Sequence, residues 1–222
     1  MSIIHFIVDM QRCYANICPD YFRARGKLQQ NICRLRNALN DQDILSVAVA
    51  YGTKEGFLPY PKGVGPRMHM PSRNQETLQR FPGADIDLLQ SPDSLIAFKN
   101  HYSLYREPSI RDYVEREGYT TIILSGLTEG DIAKKDYYCV SETAFDFAKA
   151  GYNVIIAAEA TNRGLPEMTR YYTSLEQRRD DHNAPGLRIM PIDEIMAGID
   201  QRVRPQSASH RTPRSTRSAH PS

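Results

Sequence analysis

Residues 120–161, TTIILSGLTEGDIAKKDYYCVSETAFDFAKAGYNVIIAAEAT, constrain the fold of this chain more than any other stretch. Ile122–Leu124 form an apolar run rich in β-branched side chains, and Gly126 ends it. The spacing then becomes helical, with Val140, Thr143, Ala144, Phe147 and Ala148 on one side. Gly151 closes that helix, and residues 153–158 form a second apolar run. Strand, loop, helix and strand in this order make one βαβ unit, whose strands must be parallel and whose crossover is right-handed. Cys139 falls in the first turn of the crossover helix. The unsatisfied N–H groups and positive dipole end there favour a thiolate, so Cys139 is expected to have a lowered pKa. A lone cysteine in an apolar unit is more often a small buried hydrophobe, and position alone does not decide between the two.

The rest of the chain supplies further parallel-sheet units. Residues 2–10, SIIHFIVDM, are apolar almost without alternation, as in a strand buried on both faces, and they end in Asp9. Leu28, Ile32, Leu35 and Leu39 place a helix over 21–39, and ILSVAVAY places a second buried strand over 44–51. Residues 52–92 hold six prolines and little periodicity, which suggests a functional loop or pocket wall. SLIAF at 94–98 is a third strand, with Lys99 directly after it, where a lysine usually points into solvent. Helices are expected over 108–117, 167–179 and 192–199, and a last strand over 187–190.

Composition narrows the function. Hydrophobic content of 41% and charged content of 24% suit a globular domain, and no apolar run is long enough to span a bilayer, so no membrane role is expected. Four cysteines without a CxxC pair are read as reduced thiols in a cytoplasmic protein. The chain carries +2 at pH 7, but five arginines and no acid lie from 202 onward, which leaves −3 on residues 1–201. That mildly acidic body offers no basic groove with interleaved aromatics, so nucleic acid is not an expected partner. Residues 1–202 are taken as the domain, and 203–222 as a basic tail too poor in apolar residues to fold.

Asp9, Lys99 and Cys139 thus follow the first, third and fourth strands, and in a doubly wound sheet such strand ends meet at one crevice. An ammonium there can stabilise both a carboxylate and a thiolate. At FIVDMQ, FKNHYSLY, IILSGLT and CVSETAFDFAKAGYNVIIAAEAT, the chain resembles the isochorismatase-like cysteine hydrolases. That family includes nicotinamidases, N-carbamoylsarcosine amidases and ureidoacrylate amidohydrolases. The similarity runs from about Ser2 to Gly198, through the closing LRIMPIDEIMAG. It implies an α/β fold: a doubly wound six-stranded parallel sheet, order 3-2-1-4-5-6, with helices on both faces. It also implies a catalytic triad of Asp9, Lys99 and Cys139, with Cys139 attacking a carbonyl, Asp9 moving the proton, and backbone N–H groups holding the oxyanion. Gln11, Tyr102 and Tyr138, close to these three in sequence, are the candidate substrate-binding residues.

Two departures from the family pattern stand out. Gly126 and Cys139 are thirteen residues apart where the family has about six, so residues 129–135, EGDIAKK, are inserted in the loop that shapes the oxyanion site. Nicotinamidases carry an Asp and two His after the second strand; here that place reads AYGTKEG, and His69 is the only histidine between Tyr51 and His101. The expectation is a metal-independent, cofactor-free hydrolase that cleaves a C–N bond of a small amide or ureido molecule. It is expected to be a homo-oligomer whose neighbouring subunit helps wall the pocket. Vinyl ether hydrolysis, using the acid and lysine without the thiol, and a catalytically impaired assembly subunit remain alternatives.

Overall fold

The computed structural model describes residues 2–10, 19–51, 95–99, 101–127, 139–161 and 184–203. In chain order these form β1 (Ser2–Val8), α1 (Pro19–Asn40), β2 (Leu45–Tyr51), β3 (Leu95–Lys99), a single 3-10 turn (Leu104–Arg106), α2 (Pro108–Arg116), β4 (Tyr119–Gly126), α3 (Cys139–Lys149), β5 (Asn153–Thr161), β6 (Leu187–Met190) and α4 (Ile192–Val203). Adjacent strands pair in parallel, in the order β3-β2-β1-β4-β5-β6. The parallel α/β class expected from the alternation of apolar runs and helical spacing is the one observed. The helix expected over 167–179, the loop 52–92 and the tail from 204 lie outside the described residues.

Strand alternation sorts the core into two layers. Ile4, Phe6 and Val8 of β1, Val47 and Val49 of β2, and Ile122 and Leu124 of β4 pack with Ile110 and Val114 of α2 and with Val140, Ala144, Phe147 and Ala148 of α3. Ile7, Ile123, Ile155 and Ala157 pack on the other face with Leu28, Ile32, Leu35 and Leu39 of α1 and with Ile192, Ile195 and Ile199 of α4. Burying both faces explains the apolar runs without alternation at residues 3–4 and 6–8 of β1 and at residues 122–124 of β4. His5 is the exception in β1. It is fully buried, and its Nδ1 and Nε2 lie 3.0 and 2.8 Å from the hydroxyls of Ser46 and Ser125 on the two flanking strands. Among the described residues, no helix is long and apolar enough to cross a membrane.

The carboxyl ends of β1 and β4 meet in an unusually close contact. Gly126 has φ 111°, and a Cβ built there would lie 2.0 Å from the Val8 carbonyl oxygen. Leu127 N–H donates to that same oxygen at 2.9 Å, and Asp9 N–H donates to Val49 O at 2.9 Å. The backbone immediately around Asp9 is therefore held from both neighbouring strands.

Candidate active site

Asp9 leaves β1 with φ 55°, in the left-handed region that aspartate tolerates better than most residues. The strand ends at Val8 for this reason, one residue before the acid. Lys99 is placed differently from the expectation. It is the last residue of β3 rather than the one after it, paired in register with Tyr51. Alternation puts it on the same face as Ala97, beneath α2 and α3, so it is fully buried instead of pointing into solvent. Cys139 opens α3 and is 9% exposed.

These three side chains, from positions 9, 99 and 139, come together. Lys99 Nζ lies 2.9 Å from Asp9 Oδ2, with both side chains shut off from water. The contact is a buried ion pair, and the same carboxylate acts on the Cys139 thiol beside it. Lys99 Nζ also donates to the carbonyl oxygens of His101 and Tyr102, each at 3.3 Å. Burial pulls the Lys99 ammonium pKa down, but Asp9 and then Cys139 push it up by more, so it rises above the ordinary lysine value.

The thiol corrects the expectation of a lowered pKa. Burial first, and then the charge of Asp9, push Cys139 up to about 12, against the opposing pull of Lys99. Desolvation and a neighbouring carboxylate outweigh the ammonium, and the helix end does not reverse the balance. Cys139 therefore rests as a thiol beside a carboxylate, not as a standing thiolate.

The remaining candidates separate. Tyr102 is 49% exposed at the rim, and its backbone carbonyl is what reaches Lys99. Gln11, Tyr138, the inserted residues 129–135 and His69 lie outside the described residues. Among the described residues, no group of three or more His, Cys, Asp or Glu is placed to hold a metal ion.

Several supporting groups escape a sequence reading. Glu107 is buried and accepts the His101 N–H, and Thr143 Oγ1, one turn along α3 from Cys139, accepts the Leu104 N–H at 3.1 Å. The ring of Tyr105 packs edge-on to Phe147 of α3, with centroids 5.2 Å apart. Helical spacing set Thr143 on the inward side of α3, but not its bond to the Leu104 N–H. Nothing in the pattern of residues 100–107 signals a turn folded over the lysine.

A parallel α/β domain with a buried acid, lysine and thiol at the carboxyl edge of its sheet is the class that fold and site define. The isochorismatase domain model matches residues 4–184, and the chain belongs to that family. Among solved structures, the N-carbamoylsarcosine amidase of Thermoplasma acidophilum is similar in fold, with TM-score 0.57 at 17% identity over 87% of this chain and 98% of that one. An isochorismatase-like hydrolase from Alkaliphilus metalliredigens gives TM-score 0.59 at 18% identity over 89% and 99%. A cysteine hydrolase from Pseudomonas syringae pv. phaseolicola gives 0.58 at 15% over 90% and 92%. Among curated proteins none matches the chain.

Proposed function

We propose that the chain is a cysteine hydrolase that cleaves the C–N bond of a small amide or ureido molecule through a thioester on Cys139. The observation that carries this reading is the buried contact of Lys99 Nζ with Asp9 Oδ2 at 2.9 Å, with the Cys139 thiol coupled to both. Family membership and the amidase and cysteine hydrolase among the structural neighbours support it.

The raised thiol dictates the order of steps. With a pKa near 12, only about one site in 10⁵ holds a thiolate at pH 7, so the proton must leave as the nucleophile attacks. Asp9 accepts the proton from Sγ, and the sulfur electron pair forms the C–S bond to the substrate carbonyl. The charge that develops on the carbonyl oxygen is held by backbone N–H groups at the start of α3. Asp9 then passes its proton to the substrate nitrogen, the C–N bond breaks, and the amine leaves behind a thioester. Water adds to that carbonyl, giving a proton to Asp9, and the C–S bond breaks as Sγ takes the proton back. Lys99, 2.9 Å from Asp9, offsets the negative charge that passes between the carboxylate and the sulfur as the proton moves.

The family's name favours one second reading, protonation of a vinyl ether by Asp9 with no role for the thiol. The two readings part on two variants. Covalent hydrolysis requires that Cys139→Ala and Asp9→Asn each lower turnover by several orders of magnitude, non-additively, because both act in one step. Intact-mass analysis against a panel of small amides and ureido compounds should capture an acyl adduct on Cys139 in the native chain. An active Cys139→Ala enzyme would sink the amidase reading in favour of the vinyl ether chemistry.

A further inference from the structure

Glu107 is a buried carboxylate that this chemistry does not use. It is 3% exposed, and glutamate is rarely that buried unless it has specific partners. Its Oε1 accepts the backbone N–H of His101 at 3.0 Å and lies 3.0 Å from Nδ1 of the same residue. The carbonyl of His101, together with that of Tyr102, accepts from Lys99 Nζ. His101 therefore bridges the two side chains, with its N–H on Glu107 and its C=O on the ammonium.

The bridge is anchored at every end. The Glu107 carbonyl accepts the N–H groups of Ile110 and Arg111 at 3.1 and 3.0 Å, which starts α2, and its own N–H donates to Leu104 O at 3.0 Å. Leu104 N–H is fixed in turn by Thr143 Oγ1 of α3, the helix that carries Cys139. Donation to two fixed carbonyls sets where the ammonium sits, 2.9 Å from Asp9 Oδ2. Without the fixed carbonyls, a flexible four-carbon stem would let the charge wander.

We propose that Glu107 is a positioning residue for the reaction: by holding the peptide at His101 it fixes the carbonyls that aim the Lys99 ammonium at Asp9 and Cys139. Its hydrogen-bond acceptor and its reach matter, and its charge does not. The carboxylate that raises the Lys99 ammonium is that of Asp9. The proposal rests on the reading of Lys99 as part of the reacting site.

The test uses three variants of the full chain, Glu107→Ala, Glu107→Asp and Glu107→Gln. Two readouts apply: kcat and KM on a substrate from the panel, and the rate at which iodoacetamide alkylates Cys139 without substrate, followed by peptide mass spectrometry. Gln keeps a carbonyl oxygen at the same reach, whereas Asp withdraws it by one methylene and Ala removes it. Glu107→Ala and Glu107→Asp are expected to lower kcat about 10- to 100-fold at nearly constant KM, and to slow alkylation. Glu107→Gln should stay within about three-fold of the native chain on both readouts. Native rates in Glu107→Ala, or a Gln variant as slow as Ala, would overturn the proposal. Should Glu107→Ala not fold, the contrast between Asp and Gln decides alone. If Cys139→Ala proves active, the reaction assigned above is wrong, yet the alkylation contrast still decides whether Glu107 positions Lys99.

Discussion

Asp9 acts on Cys139 in two opposite ways, and the balance can be measured. Its negative charge holds the thiol protonated in the resting site, yet in the proposed reaction the same carboxylate takes that proton once a carbonyl is in place. Because the folded thiol lies near 12, its alkylation by iodoacetamide should rise about tenfold per pH unit from pH 7 to 9, with no plateau. Asp9→Asn removes the charge that raises the thiol, so alkylation of Cys139 at a fixed pH should become faster even as turnover collapses. A plateau below pH 8 in the native chain would mean that a thiolate is already present and that the attack needs no base. None of this was legible from the helix N-terminus alone. A sequence places the dipole, but burial and the distance to a carboxylate 130 residues away belong to the fold.

The close approach of β1 and β4 makes one glycine indispensable. Ala at 126 would carry a Cβ into the Val8 carbonyl and would sit at a φ that only glycine adopts without strain. Gly126→Ala should destabilise the domain by about 2–4 kcal/mol in urea unfolding. It should also lower turnover in the molecules that remain folded, because the peptide it displaces is the one before Asp9. A change under about 0.5 kcal/mol, the range of an ordinary surface substitution, would contradict the contact. At this scale the sequence is most readable. The β-branched runs mark β1, β2, β4 and β5, and the helical spacing of Leu28, Ile32, Leu35 and Leu39 marks α1. Ends are less readable. Helix α1 starts at Pro19, a residue suited to the first helical turn, and β4 starts at Tyr119, before the apolar run begins. The segment between β3 and α2 was not readable at all, since side chains bonded to backbone hold it and leave no period.

For the molecule as a whole, the two-layer core and the site draw on the same central strands, so the state of β1 governs both. His5 joins β2, β1 and β4 beneath α1 through Ser46 and Ser125. Full burial, and then the charge of Arg36, lower its pKa from 6.5 to about 3. His5 is therefore neutral in the fold, while in the unfolded chain it takes up a proton near pH 6.5. The unfolded state then binds one proton more, so the stability His5 contributes is fully present above pH 6.5 and is lost as the pH falls from there toward 3. The slope approaches about 1.4 kcal/mol per pH unit in that window. Other groups titrate there too, and His5→Gln isolates this one. The amide can still pair with both hydroxyls but carries no titrating proton. Unfolding free energies measured in urea from pH 7.5 to 4.5 should fall less steeply for His5→Gln than for the native chain, by nearly one proton's worth below pH 6. Parallel curves for the two would mean that His5 is not kept neutral by its burial, and that the centre of the sheet tolerates a charge.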